Sequence, residues 1–237
     1  MSAAALHPFA VVGVLGAPLV LLACGAAAAA LVIADPRRRA MAILASPVLA
    51  GLALLTVLHR NTYDEVRARL ALAAAGVVAV AVAVGILTEL FRRKPGLLPL
   101  LAVAALPFRV PVVIGASTAN LLLPLYVVIG AGCLAHLIRF VRGDLPPTPA
   151  DGERWVRRLE FALAATLVLY ALQTIYSKDI PAATKNVCFF YVPFALLFRL
   201  LLDTRWSPRR LRWCFGITVG LSLVFGLADV LNFAHGL

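Results

Sequence analysis

The feature that most constrains this chain is a series of long apolar runs separated by short charged or proline-containing segments. Eight runs occupy residues 8–34, 41–58, 70–91, 95–107, 119–141, 159–176, 187–203 and 214–235. A helix needs about 20 apolar residues to cross the hydrocarbon core of a bilayer. The fourth run is the shortest and contains Pro99 and Pro107. We therefore predict an all-α, polytopic transmembrane bundle of about eight helices, forming one domain over residues 1–237.

Composition supports this reading and excludes a water-soluble fold. The chain is 62% hydrophobic and 14% charged, and its mean hydropathy is +0.96. Soluble domains are about 45–50% apolar and about 25% charged, so the excess apolar surface needs lipid as its solvent. The runs are continuous and lack the alternation of barrel strands, which favours helices.

The net charge of +11 is explained by membrane orientation and gives no reason to expect a nucleic-acid partner. Most basic residues lie in alternate connections, in clusters at 37–39, 92–94, 139–158 and 199–212. The other connections hold Arg60, Arg67, Arg69, Arg109, Lys178 and Lys185. Because Lys and Arg concentrate on the cytoplasmic side of membrane proteins, the basic clusters are predicted to be cytoplasmic and the N-terminus outside.

Arg109 stands out among the residues of the external segments 59–69, 108–118 and 177–186. It lies in LPFRVPV, where Pro107 and Pro111 disfavour helix and stiffen the backbone. A guanidinium held there has the geometry to pair with phosphate or diphosphate oxygens. The alternative is an arginine that extends to the lipid headgroups. Asn120, in the patch that follows, is predicted to cap the next helix.

Three further charged residues are candidates for binding. Lys178 and Lys185 bracket the third external segment, where they would supply positive potential for an anionic lipid-linked substrate or simply anchor the chain at the interface. Asp229 lies within the last apolar run. A carboxylate in lipid is costly, so Asp229 is expected to face a partner or a water-filled cavity.

The remaining polar residues give no catalytic signature. The chain has no Walker loop, H-E-x-x-H or G-x-S-x-G sequence, and its four histidines lack ligand spacing. We therefore predict no catalytic residue, metal or cofactor in this chain. Glu89 and Glu160 are expected to pair with basic clusters beside them, and the four cysteines to be buried thiols.

Two blocks resemble the O-antigen ligase and polymerase family of bacterial polytopic glycosyltransferases. One is LPFRVPVVIGASTANLLLPLYVVIGAG (106–132), and the other runs from LYALQTIYSK through FFYVPF to the basic segment ending at 212. The resemblance implies a bacterial cytoplasmic-membrane protein that moves a glycan from an undecaprenyl-diphosphate carrier to a glycan or lipid acceptor at the outer face. It implies neither nucleotide nor metal. Arg109, Lys178 and Lys185 would then contact the carrier diphosphate.

Family members are about twice this long, and their large external loop follows the region matched here. The chain is therefore expected to be the N-terminal part of such an enzyme and inactive alone. Two alternatives remain: a secondary transporter, which proline-broken segments near ionisable groups also suggest, and a non-catalytic membrane scaffold. The sequence leaves the glycan, the acceptor and the oligomeric state open.

Overall fold

The computed structural model describes the backbone of residues 8–57, 70–114, 117–144 and 154–234. Side chains are described for 16–56, 74–109, 121–144 and 154–231. The predicted external segment 59–69 and most of the connection 142–155 lie outside these ranges.

The described part of the chain is a bundle of helices, as predicted. The elements in order are α1 (Pro8–Val32), α2 (Pro36–Val57), α3 (Leu70–Arg93), a 3₁₀ turn (Pro95–Leu97), α4 (Leu98–Ala105), β1 (Val110–Ile114), β2 (Ser117–Leu121), α5 (Leu123–Val141), α6 (Arg154–Ile175), α7 (Ile180–Asn186), a π-helical turn (Val187–Tyr191), α8 (Val192–Leu202) and α9 (Pro208–Ala234). Each of the eight predicted runs contains helix.

Within the described side chains, six helical segments are long and apolar enough to cross a membrane. They are Pro36–Thr56, Ala74–Arg93, Leu123–Val141, Arg154–Ile175, Ile180–Leu202 and Pro208–Leu231. Gly16–Val32 and Pro95–Ala105 are shorter apolar helices. The count of eight is therefore close, and the fourth segment is short because Pro107 and Pro111 follow it.

A two-stranded antiparallel hairpin between α4 and α5 was not predicted. Its register pairs Val110 with Leu121 and Ile114 with Ser117. Val112, Val113 and Ile114 are β-branched and favour extended backbone. The fifth run was predicted to extend over about residues 119–141, and its helix begins at Leu123 because Ser117–Leu121 forms the second strand.

The predicted capping role of Asn120 is also wrong. Asn120 pairs with Pro111 inside the hairpin. Helix α5 begins at Leu123, and its N-cap residue Leu122 makes no side-chain capping hydrogen bond. Pro124 occupies the first turn, where a missing backbone N–H removes a donor that has no helical partner anyway.

Helix α1 lies at the centre of the bundle and packs against α2, α6 and α8. Its buried face is made of small residues, with Ala23, Ala27 and Ala30 almost completely inaccessible. Small residues allow helix backbones to approach closely in membranes. Because α1 and α2 lie close together, the hydroxyl of Ser46 in α2 donates a 2.9 Å hydrogen bond to the carbonyl of Ala23 in α1.

Gly132 allows α5 to approach α4 and α8. A Cβ at this position would lie 2.8 Å from the Cδ1 atoms of both Leu98 and Leu200. Real Cβ contacts are longer, so the absence of a side chain is required for this packing.

Helix α9 packs mainly against α4. Phe225 contacts Phe108 edge-on, with ring centroids 6.0 Å apart. The rest of α9 presents exposed apolar side chains, as expected for a helix surrounded by lipid.

Candidate functional site

Two neighbouring clefts share the lining residue Tyr191, and together they are named the groove. The first part is apolar and lies between α6 and the segment that runs from the π-helical turn into α8. This part has a volume of about 380 Å³ and is lined from α6 by Leu163, Thr166 and Leu167. From the other side it is lined by Phe190, Phe194 and Phe198, whose spacing of four residues puts them on one helix face. Phe190 and Phe194 are 42% and 37% exposed. The surface therefore suits a hydrocarbon chain.

The second part of the groove is polar. It is a cleft of about 190 Å³ whose polar lining residues are Tyr170, Gln173, Thr174, Ser177, Asn186 and Tyr191. Amide and hydroxyl groups can both donate and accept hydrogen bonds. The cleft thus offers the chemistry that binds sugar hydroxyls or phosphate oxygens, next to a surface that accepts a lipid chain.

Tyr191 lines both parts of the groove. It stacks on Tyr170 with ring centroids 4.1 Å apart and an interplanar angle of 19°. Tyr191 ends the π-helical turn Val187–Tyr191. Such turns are rare and often occur at functional sites, and this one places a tyrosine where the apolar and polar parts meet.

The polar cleft was missed in the sequence, although it had a detectable signal. Tyr170, Gln173, Thr174 and Ser177 follow the spacing i, i+3, i+4, i+7, which is one face of a helix. Thr174 is buried and donates its hydroxyl to the carbonyl of Tyr170 at 3.0 Å. A polar stripe in an otherwise apolar helix indicates a surface that does not face lipid.

Two of the predicted site residues flank the polar cleft. Lys178 is exposed and follows Ser177, whereas Lys185 is half-buried and precedes Asn186. Asp179 between them is the N-cap of α7, and its Oδ1 accepts a 2.9 Å hydrogen bond from the Ala182 amide. The two ammonium groups are therefore attached to a segment that is fixed beside the cleft.

Arg109 is not grouped with the two lysines. It is exposed in the non-helical segment between α4 and β1, which agrees with the predicted non-helical backbone. Helix α4 packs on α5 and α9, whereas α7 packs on α1 and α2. The structure therefore divides the predicted set into a lysine pair near the groove and an arginine on another part of the bundle.

Asp229, the predicted intramembrane carboxylate, lies near the end of the described side chains. It is exposed on α9, among the exposed side chains of Leu227, Val230 and Leu231. In the part of the chain with described side chains it has no ion-pair partner. The expectation that Asp229 faces a partner or a water-filled cavity stays a prediction.

A buried network of charged residues lies at the end of the bundle opposite the polar cleft. Arg199 is only 1% exposed, and its two terminal nitrogens donate 2.8 Å hydrogen bonds to Glu160 and Asp203. Glu160 therefore pairs with a distant arginine of α8. The exposed pairs of Glu89 with Arg92 and Arg93 are the local kind that the sequence predicted.

Two more buried residues join this network. His136 Nδ1 lies 3.1 Å from Asp203 Oδ2, and Arg39 donates from Nε to the carbonyl of Ile33 at 2.8 Å. Burial alone would raise the pKa of Asp203. The contact with His136 and the positive charge of Arg199 outweigh it and hold that pKa below the ordinary aspartate value. The network thus joins basic residues from several predicted cytoplasmic clusters at one end.

The described residues contain no group of three or more His, Cys, Asp or Glu side chains arranged to hold a metal ion. Cys24, Cys133 and Cys188 are buried free thiols, and Cys214 is a half-buried one. The prediction of buried thiols is confirmed for Cys24, Cys133 and Cys188, whereas Cys214 is only half-buried.

Comparison with known proteins identifies no relative. No protein-family model matches the chain, and searches of curated proteins and of solved structures found no significant match.

Proposed function

We propose that this chain binds a polyprenyl-diphosphate-linked glycan and takes part in transfer of the glycan to an acceptor, as in the O-antigen ligase and polymerase family that it resembles. The carrier's hydrocarbon chain would lie along Phe190, Phe194 and Phe198. Its diphosphate and first sugar would occupy the polar cleft beside Lys178 and Lys185.

The observation that carries this proposal is that Tyr191 lines both clefts of the groove, the aromatic apolar one and the amide- and hydroxyl-lined one. An amphiphile with a long chain and a polar head matches this order. The openness of Phe190 and Phe194 to the surrounding lipid gives a carrier lateral access from the membrane.

Glycan transfer from a diphosphate carrier depends mainly on positively charged groups that bind the diphosphate. In glycan transfer, an acceptor hydroxyl oxygen bonds to the anomeric carbon, the bond from that carbon to the diphosphate breaks, and the hydroxyl proton passes to a base. Positive groups stabilise the charge that develops on the departing diphosphate. Lys178 and Lys185 are the cations nearest in sequence to the polar cleft.

The proposal is tested by lipid binding to the purified chain in phosphatidylcholine nanodiscs. Undecaprenyl diphosphate and the uncharged undecaprenol are titrated, and the bound fraction is measured by native mass spectrometry. The double variant Lys178→Ala/Lys185→Ala is expected to bind the diphosphate about tenfold more weakly, because a charge-assisted hydrogen bond contributes about 1.5–3 kcal/mol. Its affinity for undecaprenol is expected to stay unchanged.

Phe194→Ala is expected to weaken binding of both lipids, because it removes an aromatic ring from the middle of the apolar lining. Lys94→Ala and Phe215→Ala are the matched controls: Lys94 is exposed at the other end of the bundle, and Phe215 is 71% exposed on α9. Equal affinities in the wild type, the lysine double variant and Phe194→Ala would overturn the proposed site.

A further inference from the structure

A second cleft lies at the opposite end of the bundle from the groove, and it is lined by arginines. Its volume is about 480 Å³. The end of α3 and the 3₁₀ turn supply Arg92 and Gly96, and the end of α5 supplies Arg139. Arg205 comes from the segment before α9, and Arg210 from the first turn of α9. Four arginines thus converge from three parts of the chain.

Two carboxylates, Asp203 and Asp144, also line this cleft and offset part of the arginine charge. Asp203 lines it, but its Oδ1 already accepts a hydrogen bond from the buried Arg199. Asp144 is the other carboxylate of the lining and is exposed. Arg92 is held by Glu89 through two hydrogen bonds, at 2.8 and 2.6 Å. The positive charge available to a ligand therefore comes from Arg139, Arg205 and Arg210.

Arg139 is a donor that lacks an acceptor. It is half-buried, and its Nε is shielded from solvent without a hydrogen-bond partner among the described residues. Buried guanidinium N–H groups normally have partners, since leaving one unpaired is costly. An anion in the cleft would supply the missing acceptor.

Gly96 sets the position of Arg210. A Cβ on Gly96 would lie 2.6 Å from Nη2 and 2.9 Å from Cζ of Arg210. The guanidinium of Arg210 therefore rests directly over the 3₁₀ turn, on the wall of the cleft, where a side chain at position 96 would displace it.

We infer that this cleft binds a phosphate group. Guanidinium groups arriving from different directions match the several oxygens of one phosphate, and arginine pairs with phosphate through two parallel hydrogen bonds. A volume of about 480 Å³ falls within the roughly 300–1,000 Å³ of small-molecule sites. Basic pockets between the ends of transmembrane helices bind phospholipid headgroups in this way.

The same chemistry serves two sources of phosphate, an anionic lipid of the adjacent leaflet and a soluble phosphate. One arm of the test therefore uses native mass spectrometry on protein in nanodiscs of phosphatidylcholine containing cardiolipin, and counts the cardiolipin molecules retained. The other arm measures the thermal unfolding midpoint in a neutral detergent as inorganic phosphate or pyrophosphate is added, with chloride at equal ionic strength as the reference.

The variants are Arg139→Gln, Arg210→Gln and Gly96→Ala. The first two are expected to weaken binding about tenfold in the arm that detects the ligand. Gly96→Ala is expected to weaken it without any change of charge, because it moves Arg210. Arg209→Gln is the control, because Arg209 is an exposed neighbour of Arg210 and its substitution removes the same charge.

Retention of cardiolipin that Arg139→Gln and Arg210→Gln weaken about tenfold would identify a lipid as the source. Protection by inorganic phosphate or pyrophosphate that the same variants weaken would identify a soluble phosphate. If neither probe binds, or if Arg209→Gln lowers binding as much as Arg139→Gln and Arg210→Gln do, the site does not exist. The inference is independent of the proposed glycan transfer, because the two sites share no lining residue.

Discussion

Arg199 and Glu160 are 39 residues apart in sequence, yet Nη1 of Arg199 donates a 2.8 Å hydrogen bond to Oε1 of Glu160 in the interior of the bundle. Both residues are buried, and the pair joins α8 to the beginning of α6. Removing one member of a buried ion pair leaves the other charge unpaired, which costs about 3–5 kcal/mol.

Arg199→Met is therefore expected to lower the free energy of unfolding by about 3–5 kcal/mol, measured by denaturant titration in detergent. Arg93→Met is the control, because Arg93 pairs with Glu89 on the exposed surface, and it is expected to have little effect. Equal effects of the two changes would mean that the buried pair does not hold α6 and α8 together.

Asp203 should make the stability of the bundle depend on acid pH. Its pKa is lowered in the folded protein, so its contribution is complete above the ordinary aspartate pKa of about 3.9 and is lost as pH falls through the folded-state value. Asp203→Asn is expected to be less stable at neutral pH and to lose less stability than the wild type below about pH 4. Parallel pH curves of the unfolding midpoint would contradict this.

Gly132→Ala is expected to destabilise the bundle by about 1–3 kcal/mol, because its Cβ would overlap Leu98 and Leu200 and force α5 away from α4 and α8. Gly130→Ala on the same helix meets nothing within 4 Å. That variant should be neutral or slightly stabilising, since alanine favours helix over glycine. Equal shifts of the unfolding midpoint in Gly132→Ala and Gly130→Ala would contradict this prediction.

The orientation of the chain can be read by cysteine labelling in intact cells. In a variant with Cys214 replaced by Ala, a membrane-impermeant maleimide is expected to label Lys178→Cys from outside the cell. Arg37→Cys and Arg205→Cys are expected to react only after the cells are broken, because they belong to the basic clusters. Labelling of Lys178→Cys only in broken cells would reverse the proposed topology and remove the groove from the outer face.

Arg109→Ala is expected to weaken binding of undecaprenyl diphosphate in nanodiscs, by less than the lysine double variant does, because Arg109 lies beside α4 and away from the groove. Arg109→Lys keeps the charge and loses the planar pair of donors, so it should restore only part of the affinity. Membrane insertion, measured by labelling at Lys178→Cys, should not change. Unaltered binding by well-inserted Arg109→Ala would leave this residue as a headgroup anchor.

The positions of the helices were predictable because each depends on the length and hydropathy of a single run of residues. The hairpin was not, because the prolines predicted only a non-helical external segment at 108–118, and the strands form through the pairing of Val110–Ile114 with Ser117–Leu121. The local sequence shows the strand propensity of this segment but does not show which segment pairs with it.

The sites were less predictable because they form between distant segments. Gln173 and Asn186 come together only after α6 and α7 have packed. Arg199 was counted among the cytoplasmic cations, whereas carboxylates from α6 and from the end of α8 enclose it. Charge in a sequence predicts on which side of the membrane a segment lies, but the neutralising partners depend on the tertiary fold.

The π-helical turn at Val187–Tyr191 has a consequence for how this long segment can vary. A π turn holds one residue more than the α-helical turn it replaces, and one residue in an α-helix corresponds to a rotation of about 100°. Deleting a residue from the regular part of α8 would rotate the side chains that follow by that angle. Deleting one within the π turn would instead leave an ordinary α-helical turn, with α7 and α8 in nearly their present register. The segment therefore tolerates the loss of a residue within this turn better than a loss within α8.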